Sequence, residues 1–302
     1  MKKRGLVAIL GISAALLLAG CGSNAEETTA AASSEEQAAE AETEAEGEEP
    51  AADGEVTTVT VGVVGEYNAQ WDTVNELLAP EGIQVELMKF TDYATPNRAL
   101  NDGEIDLNAF QHKAFLANDI ETAGYDLVDI GDTIIAPLSI YNNKDKISSV
   151  EDIKDGDIIA IPSDLTNGGR ALKLLEAAGL IECDPEKGYT PTKLDITKYN
   201  VQIEILEAES ATLANLLPDC TAAVINGGNA FTAGLNPNED SIFTEDVDPE
   251  TNPNVAQLIN IIAARAEDAD NEVYKKVVEA YQTDEVKQTI EEAYDGAFIC
   301  AF

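Results

Sequence analysis

The sequence predicts an α/β protein whose two lobes hold a ligand in the cleft between them. From residue 56 onward, β-branched segments of strand type alternate with segments of helical spacing, the order typical of α/β proteins with largely parallel sheets. The alternation falls into two runs, and a C-terminal segment is suited to rejoin the first. We therefore predict that residues 56–138 plus 245–302 form lobe 1 and that residues 139–244 form lobe 2. A single doubly wound domain with long insertions is the structural alternative.

The first twenty residues have the composition of a secretory signal. Three basic residues at positions 2 to 4 precede an apolar run, which ends in small residues before Cys21. The run is too short for a convincing membrane span, which needs about 20 apolar residues. We predict a cleaved signal peptide at residues 1–20, and an uncleaved N-terminal anchor is the alternative.

A short motif at the end of this signal indicates lipidation. Leu18-Ala19-Gly20-Cys21 resembles the lipobox of bacterial lipoproteins, which implies cleavage before Cys21 and acylation of its thiol. Two or three acyl chains hold a protein to a bilayer far more firmly than one. We therefore expect an exported protein, lipid-anchored at the extracytoplasmic face of the cell membrane.

Residues 21–55 are predicted to be the lipidated Cys21 followed by an acidic, disordered linker. The segment after Cys21 contains many Glu and Ala residues, no Lys or Arg, and no large apolar residue. Such a segment cannot bury enough apolar surface to offset the entropy of ordering, and its like charges repel. A helical Ala/Glu stalk is the alternative, although Glu without Lys partners disfavours it.

The first run of the folded part begins as a strand–helix–strand unit. Residues 55–65 and 83–90 are strand-like, and between them Trp71, Val74, Leu77 and Leu78 follow helical spacing. The run continues with a helix near residues 94–103, a short strand at 105–110, a helix from Lys113 to Ala123 and an extended segment at 133–144.

The second run has the same alternation and leads into a helical C-terminus. Its segments are a strand at 157–163, a helix at 166–180, a strand at 201–208, a helix at 211–219 and a strand at 221–227. Residues 255–265 are then predicted to be a strand and residues 271–282 and 284–296 two helices. Pro137 and residues 236–249 are the candidate hinges between the lobes.

Composition excludes several classes of function. The chain has 57 acidic and 18 basic residues, for a net charge of −39, so no nucleic-acid partner is expected because phosphate binding needs basic patches. Apart from Cys21, the cysteines are Cys183, Cys220 and Cys300, which leave either one disulfide or free thiols. With one His and no metal-ligand spacing, we expect no metal and no other cofactor.

Five segments of the chain, taken together, carry a family resemblance. They are, in order, VTVGVV, KFTDYATPNRALNDGEIDLNAFQHKAFL, AIPSDLTNGGRALKLLEAAGLI, AAVINGGNAFTAGLNP and AYQTDEVKQ. They resemble the NlpA/MetQ family of substrate-binding lipoproteins of methionine ABC importers. The resemblance covers essentially all of residues 56–302 and is most specific in the second segment. It implies a two-lobed type II periplasmic-binding-protein fold. It also implies an amino acid, methionine, held between the lobes, and delivery to a permease with its ATPase.

An amino-acid ligand needs a cationic partner for its carboxylate, and the segment SDLTNGGRALKLL offers one. Thr166 or Asn167 can open a helix whose free N–H groups attract an anion. Gly168 and Gly169 allow close backbone approach, and Arg170 can bind a carboxylate with two hydrogen bonds. The alternative is a capped helix with Arg170 on a solvated face.

Asn226 is the candidate for the ligand's other polar contacts. It ends the apolar strand TAAVI just before two glycines, so its side-chain amide can face the cleft. An ordinary turn Asn is the alternative, and the family resemblance favours the ligand contact.

The only His of the chain lies in the segment NAFQHKAFL, between two phenylalanines. Phe110 and Tyr93 can form a wall for a thioether, since sulfur gains about 0.3–1.5 kcal/mol beside an aromatic ring. His112, neutral at pH 7, can pack against the ligand and donate one hydrogen bond. A core or helix-capping His is the alternative, and the resemblance favours a pocket wall.

Two departures from the family concern the same pocket. This chain reads NGGNA where relatives resemble NGNYA or NTTYA, so Gly228 and Asn229 replace larger side chains. Asn254 likewise stands where relatives often have Tyr. Both departures are expected to remove bulk near the polar end of the pocket, which makes another amino acid or a short peptide the alternative ligand.

Other classes of function are less well supported by the sequence. An enzyme is not expected, because a His-dependent triad would have to use His112 and no GxSxG motif is present. A surface adhesin or structural lipoprotein would tolerate an empty cleft and is the remaining alternative.

Overall fold

The computed structural model describes residues 56–302, in which strands and helices alternate along most of the chain. The residues for which the sequence predicts a signal peptide (1–20), an acylated Cys21 and an acidic linker (21–55) lie outside this range. Within residues 56–302, no helix is both long and apolar enough to cross a membrane. Cys183, Cys220 and Cys300 are free thiols, the first two of them buried.

Thirteen strands are present in residues 56–302. They are β1 (Thr57–Val64), β2 (Ile83–Phe90), β3 (Leu107–Asn108), β4 (Leu127–Ile135), β5 (Ser139–Asn142), β6 (Ile158–Pro162), β7 (Ile181–Cys183), β8 (Ile196–Tyr199), β9 (Glu204–Ala208), β10 (Ala222–Ile225), β11 (Ser241–Thr244), β12 (Ile259–Arg265) and β13 (Ile299–Cys300).

The same residues form ten α-helices and six short 3₁₀ helices. The α-helices are α1 (Gln70–Leu78), α2 (Thr95–Asn101), α3 (Lys113–Ala123), α4 (Leu165–Ala177), α5 (Leu213–Leu216), α6 (Gly227–Thr232), α7 (Pro237–Asp240), α8 (Val255–Leu258), α9 (Glu272–Tyr281) and α10 (Asp284–Tyr294). The 3₁₀ helices are Ala79–Glu81, Val150–Asp152, Pro185–Lys187, Lys193–Asp195, Ser210–Thr212 and Ala266–Asp268.

Two sheets divide this part of the chain into two lobes. One sheet has six strands in the order β13-β4-β12-β3-β1-β2, and the other has five in the order β11-β5-β10-β6-β9. We call the lobes the six-stranded lobe and the five-stranded lobe. A small hairpin-like sheet, β7-β8, belongs to neither order and was not expected from the sequence.

Both large sheets are mixed, so the prediction of largely parallel sheets is wrong. β1 pairs in parallel with β2 and β3, and β6 pairs in parallel with β9 and β10. β5 and β12, however, pair antiparallel with their neighbours. Each of these two strands is the first after the chain crosses from the other lobe. Neither strand is therefore joined to a preceding neighbour of its own sheet by a strand–helix–strand crossover, which is the connection that parallel neighbours need.

The helix α1 illustrates how spacing in the sequence builds the six-stranded lobe. Trp71, Val74 and Leu78 are almost completely buried, because residues three and four apart share one face of a helix. They join a core with Val59, Val61 and Val63, which alternate along β1, and with buried residues of α9 and α10. The predicted helix and strands are therefore found where the sequence placed them.

Two predicted segments differ from the structure. Residues 255–258 form the short helix α8 instead of the start of a strand; Val255 and Leu258 are both buried and lie one helical turn apart. The extended segment 133–144 is divided into the end of β4 and the whole of β5. Pro137 lies between these strands and has no N–H group to donate to a ladder.

The two crossings between the lobes meet at Leu138 and Glu245. The N–H group of Glu245 donates to the carbonyl of Leu138 at 2.9 Å, and the N–H group of Leu138 donates to Glu245 Oε2 at 3.1 Å. Glu245 follows β11, and Leu138 precedes β5. The chain therefore enters and leaves the five-stranded lobe at one point.

Candidate functional site

All six residues that the sequence singles out for ligand binding line one cavity between the lobes. Tyr93, Phe110 and His112 come from the six-stranded lobe, and Asn167, Arg170 and Asn226 come from the five-stranded lobe. The empty space among the lining residues, including space open to solvent, is about 370 Å³. The cavity therefore brings polar and aromatic side chains of both lobes around one space.

One wall of the cavity is aromatic. The ring centroids of Tyr93 and Phe110 are 5.9 Å apart, and Phe115 lies 5.9 Å from Phe110 and 6.1 Å from Tyr93. Phe115 was not singled out from the sequence, although it follows Phe110 by five residues in the same motif. These three rings give an apolar surface on which a flexible side chain can pack.

His112 begins the helix α3 and contacts both lobes. Its Nδ1 accepts a hydrogen bond from the N–H group of Phe115 at 3.1 Å, so the ring proton is on Nε2, which lies 3.2 Å from Asn167 Oδ1. Burial, followed by the charge of Arg170, lowers the pKa of His112 to about 3, against a smaller opposing effect of Asn167. His112 is therefore neutral, and it is a helix cap as well as a residue of the cavity.

This geometry changes one detail of the expected role of His112. The single proton of its ring points to Asn167, and the other nitrogen accepts from Phe115. No hydrogen bond of the ring is left for a ligand, because each nitrogen already has a partner. His112 can contribute a flat surface, but its one donated hydrogen bond goes to the protein.

Asn167 and Asn226 form the polar side of the cavity. Asn226 Nδ2 donates to Asn167 Oδ1 at 2.8 Å, and Asn167 Nδ2 donates to the carboxylate of Asp164 at 3.0 and 3.1 Å. Among residues 56–302, no hydrogen-bond partner reaches the buried Oδ1 of Asn226. Because a buried acceptor without a partner is costly, this oxygen is well suited to accept from a ligand's ammonium group.

Arg170 is the buried cation of the site, and Glu245 holds it. Its Nε donates to Glu245 Oε1 at 3.0 Å and its Nη2 to Oε2 at 2.5 Å and to the carbonyl of Ala136 at 3.3 Å. Burial lowers the pKa of Arg170, but the neighbouring Glu245 carboxylate more than offsets this, and the net shift is upward. Its Nη1 makes no hydrogen bond to any residue that the structure describes. A ligand carboxylate therefore has Nη1, and not the Nε edge, as its free donor.

The helix α4, which carries Asn167 and Arg170, starts earlier than predicted. It begins at Leu165, and Asp164 caps it by accepting from the N–H group of Asn167 at 2.9 Å. A carboxylate of the protein thus already occupies the helix start where the sequence suggested an anion would bind. The sequence signal for this cap was present, since Asp is a preferred N-cap residue.

The two glycines of α4 serve packing within the protein. A Cβ atom on Gly169 would lie 2.8 Å from Thr190 Cα, and one on Gly168 would lie 2.9 Å from the carbonyl oxygen of Pro162. Their expected role, close approach of the backbone, is therefore met by the protein's own backbone.

Other polar residues of the motif that contains His112 form a network behind the cavity. Asn108 Nδ2 donates to Asn97 Oδ1 at 2.9 Å, and Asn97 and Gln111 exchange hydrogen bonds of 2.7 and 2.6 Å. Lys113 pairs with Asp129 and Asp132 at 3.3 and 2.6 Å. These amides are buried, so they position the cavity-lining segment, and of them only Gln111 also lines the cavity.

The departures at Gly228, Asn229 and Asn254 have different structural outcomes. Gly228 lines the cavity, and the ring of Tyr67 lies directly against it. Asn229 lines a neighbouring pocket, and Asn254 lies before α8 and is not among the cavity-lining residues. The expected loss of bulk at Gly228 is therefore offset by the ring of Tyr67.

Two lining residues, Tyr67 and Asn260, were not predicted from the sequence. Tyr67 follows the buried strand β1 and Asn260 lies in β12, and this position at a buried strand is the sequence signal that both share.

Comparison with known proteins agrees with this architecture. Residues 59–302 match the family model described as NlpA lipoprotein. The chain is 40% identical over 245 residues to the D-methionine-binding lipoprotein MetQ of Salmonella typhimurium, covering 80% of this chain and 87% of that protein.

Solved structures give the same fold. A nutrient binding protein from Burkholderia cenocepacia bound to methionine is 35% identical, with a TM-score of 0.75 and coverage of 81% of this chain and 100% of that chain. The substrate binding protein of a methionine transporter from Streptococcus pneumoniae is 38% identical, with a TM-score of 0.76 and coverage of 81% and 96%. The predicted two-lobed periplasmic-binding-protein fold is thus confirmed, and the relatives are described as binding proteins.

Proposed function

This chain belongs to the NlpA lipoprotein family, and on that premise we propose that it captures methionine between its two lobes and delivers it to an ABC importer. The proposal is carried by one observation, the cavity shared by the two lobes. That cavity presents an unpaired buried acceptor, a cationic donor and an aromatic wall. These are the three contacts that a zwitterion with an apolar side chain needs.

Each residue of the cavity has a definite role in this proposal. The Nη1 group of Arg170 binds the ligand carboxylate, and Oδ1 of Asn226 accepts from the ammonium group. Tyr93 and Phe110 pack against the thioether, and His112 provides a flat neutral surface beside them. The Oδ1 of Asn167 accepts hydrogen bonds from both His112 and Asn226, which fixes the cavity residues of the two lobes relative to each other.

The lobe boundaries belong to the same proposal. Lobe 1 is residues 56–138 plus 245–302, and lobe 2 is residues 139–244. The hinges are Pro137 and the part of the candidate range 236–249 that follows β11 (Ser241–Thr244), since α7 and β11 belong to lobe 2. All strands of the six-stranded sheet fall in the first set, and all strands of the five-stranded sheet fall in the second. Closure of two lobes around a ligand about such crossings is an established type of motion.

Membrane attachment and the transport partners complete the proposed function. A lipid on Cys21 would hold the protein at the extracytoplasmic face of the membrane, with residues 22–55 as a flexible tether. The proposed partners are a permease and its ATPase, because the binding protein of an ABC importer releases its ligand to the transmembrane permease. The name of the Streptococcus pneumoniae structure, a substrate binding protein of a methionine transporter, supports this assignment.

Calorimetric titration tests the proposal. Residues 56–302 are unfolded, refolded to remove carried-over ligand, and titrated with L-methionine, D-methionine and a panel of other amino acids and dipeptides. We expect saturable binding of methionine. Binding of another compound in its place would reassign the ligand, and absence of binding across the panel would contradict the proposed function and favour an adhesin.

Asn226→Ala identifies the site within the same experiment. The change removes the unpaired Oδ1, so methionine binding should weaken by about 1.5–3 kcal/mol, the usual value for a hydrogen bond to a charged group. Asn229→Ala is the matched control, because the same side chain three residues later lines a different pocket. Equal affinities of both variants and the unaltered protein would exclude Asn226 from the site.

A further inference from the structure

Tyr67 of the six-stranded lobe lies against Gly228 of the five-stranded lobe. A Cβ atom on Gly228 would lie 2.4 Å from Cε1, 2.8 Å from Cζ and 2.9 Å from the hydroxyl oxygen of Tyr67. Separations this short are not tolerated between nonbonded carbon atoms. The ring can therefore occupy this place only because residue 228 has no side chain.

The surroundings of Tyr67 fix its ring in this position. The ring packs on Phe298, with 5.1 Å between centroids, and the residue is only 7% exposed. The neighbouring N–H group of Glu66 donates to Thr232 Oγ1 in α6 at 3.2 Å. The segment that carries Tyr67 therefore contacts both lobes, Phe298 in the six-stranded lobe and Thr232 in the five-stranded lobe.

The hydroxyl group of Tyr67 has no hydrogen-bond partner in the part of the chain that the structure describes. Burial raises the pKa of Tyr67 above its ordinary value, so the hydroxyl remains protonated and can donate. Tyr67 lines the ligand cavity together with Gly228 and Asn226, and its hydroxyl oxygen lies beside Gly228. Gly228 is two residues from Asn226, whose buried Oδ1 lacks a partner, so the cavity has a free hydroxyl donor and an unpaired acceptor on its lining.

We propose that Tyr67 is a ligand-binding residue whose hydroxyl group hydrogen-bonds the polar end of the bound amino acid. Gly228 leaves room for the ring of Tyr67 because it has no side chain. In this chain a lobe 1 tyrosine thus supplies the bulk and the hydroxyl that the five-stranded lobe lacks at positions 228 and 229. This inference rests on the proposed function, since it assigns a further contact to the same ligand.

Tyr67→Phe tests the inference because it removes the hydroxyl group and keeps the ring. The refolded, ligand-free protein is titrated with L-methionine and D-methionine, and its thermal unfolding is measured without ligand. We expect affinity to fall about 10- to 100-fold, as for loss of a hydrogen bond to a charged group, with an unchanged unfolding temperature. Tyr125→Phe, a half-buried tyrosine of the same lobe outside the cavity, should bind as the unaltered protein does.

A double-mutant cycle tests the pairing with Gly228. Gly228→Ala should weaken binding when Tyr67 is present, because the added methyl group displaces the ring, and should have little further effect in Tyr67→Ala. Additive effects would overturn the pairing, and unaltered affinity of Tyr67→Phe would overturn the hydroxyl contact while leaving methionine binding intact. If the unaltered protein binds no amino acid, the proposed function fails and this inference fails with it.

Discussion

At the residue scale, Arg170 links the ligand cavity to the crossings between the lobes. The residue is 3% exposed and its guanidinium is paired with Glu245, which is also hydrogen-bonded to the backbone of Leu138. Tyr189 donates a further hydrogen bond to Glu245 Oε1 at 3.0 Å. Removing one partner of a buried pair leaves the other charge uncompensated, which costs about 3–5 kcal/mol.

Arg170→Ala is therefore expected to lower both methionine affinity and stability. We expect affinity to weaken by about 1.5–3 kcal/mol and the free energy of unfolding to fall by about 3–5 kcal/mol, as measured by calorimetry and urea unfolding. The double variant Arg170→Ala/Glu245→Gln removes the unpaired charge, so it should recover much of the stability and none of the affinity. Recovery of affinity in the double variant would contradict a ligand contact by Arg170.

His112 permits a direct measurement of pKa because it is the only His among 302 residues. Its pKa is lowered to about 3 in the folded protein, whereas an unperturbed His titrates near 6.5. Between these values the unfolded state binds a proton that the folded state does not. The contribution of the neutral His112 to the free energy of unfolding is therefore complete above about pH 6.5. Below that pH the free energy of unfolding falls by up to about 1.4 kcal/mol per pH unit.

The proton resonance of the His112 ring should accordingly show no titration between pH 8 and pH 5 in the folded, tag-free protein. The same resonance in urea should titrate near pH 6.5 and serves as the control. A folded-state midpoint near 6 would contradict the buried, neutral ring, and methionine affinity should be independent of His112 protonation over the same range.

The sequence predicted residues that line the cavity better than it predicted their partners. All six predicted residues line the cavity, because the motif and the ends of buried strands indicate where polar side chains can meet. The partners Asp164 and Glu245 and the ring of Tyr67 were not predicted. Glu245 lies 75 residues from Arg170, and pairing over such a distance depends on how the lobes pack, which local patterns do not report.

At the element scale, the start of α4 sets the position of Asn167. Asp164 accepts hydrogen bonds from the N–H group and the side chain of Asn167 and from Thr166 Oγ1 at 3.1 Å. The cap of α9 is comparable but remote, since Asn271 accepts from the N–H group of Val273 at 2.9 Å. The two caps offer a matched comparison of a functional and a structural helix start.

Asp164→Ala is expected to weaken methionine binding, whereas Asn271→Ala is not. Both changes remove an N-cap, so both should lower the free energy of unfolding by about 0.5–2 kcal/mol, as measured by urea unfolding. Only Asp164→Ala frees Asn167 and should also lower affinity, as measured by titration. Equal affinities of the two variants would show that the cap of α4 acts on stability alone.

Element types were largely predictable, and pairing of strands was not. The helices α1, α3, α9 and α10 and the strands β1 and β2 agree with spacing and β-branched composition. The antiparallel placement of β5 and β12 depends on the crossings between lobes, and helix α8 depends on burial of Val255 and Leu258. These features arise from tertiary contacts that propensity does not encode.

At the scale of the whole molecule, one ligand would contact both lobes. Of the six predicted ligand-binding residues that line the cavity, three lie in each lobe, and the hydrogen bond between His112 and Asn167 already joins the two lobes. A ligand bound there interacts with the folded arrangement only, so it should stabilise the two lobes together.

Methionine at about 100 times its dissociation constant should therefore raise the free energy of unfolding by about 2.7 kcal/mol. Thermal unfolding of the refolded protein measures this gain in the free energy of unfolding. The fluorescence of Trp71 reports on the six-stranded lobe, and circular dichroism reports on both lobes. Asn226→Ala at the same methionine concentration is the control, and its free energy of unfolding should rise by a smaller amount. A shift in the fluorescence transition alone would contradict joint stabilisation.

The meeting of Leu138 and Glu245 has a consequence for how such proteins diversify. The residues between them begin and end at adjacent backbone groups, 2.9 Å apart, so recombination at two nearby points can replace them as one genetic segment. Insertions with adjacent ends are well tolerated by a host fold. Asn167, Arg170 and Asn226 all lie in that segment, so one exchange replaces the side of the cavity that the five-stranded lobe contributes and leaves the side from the six-stranded lobe unchanged.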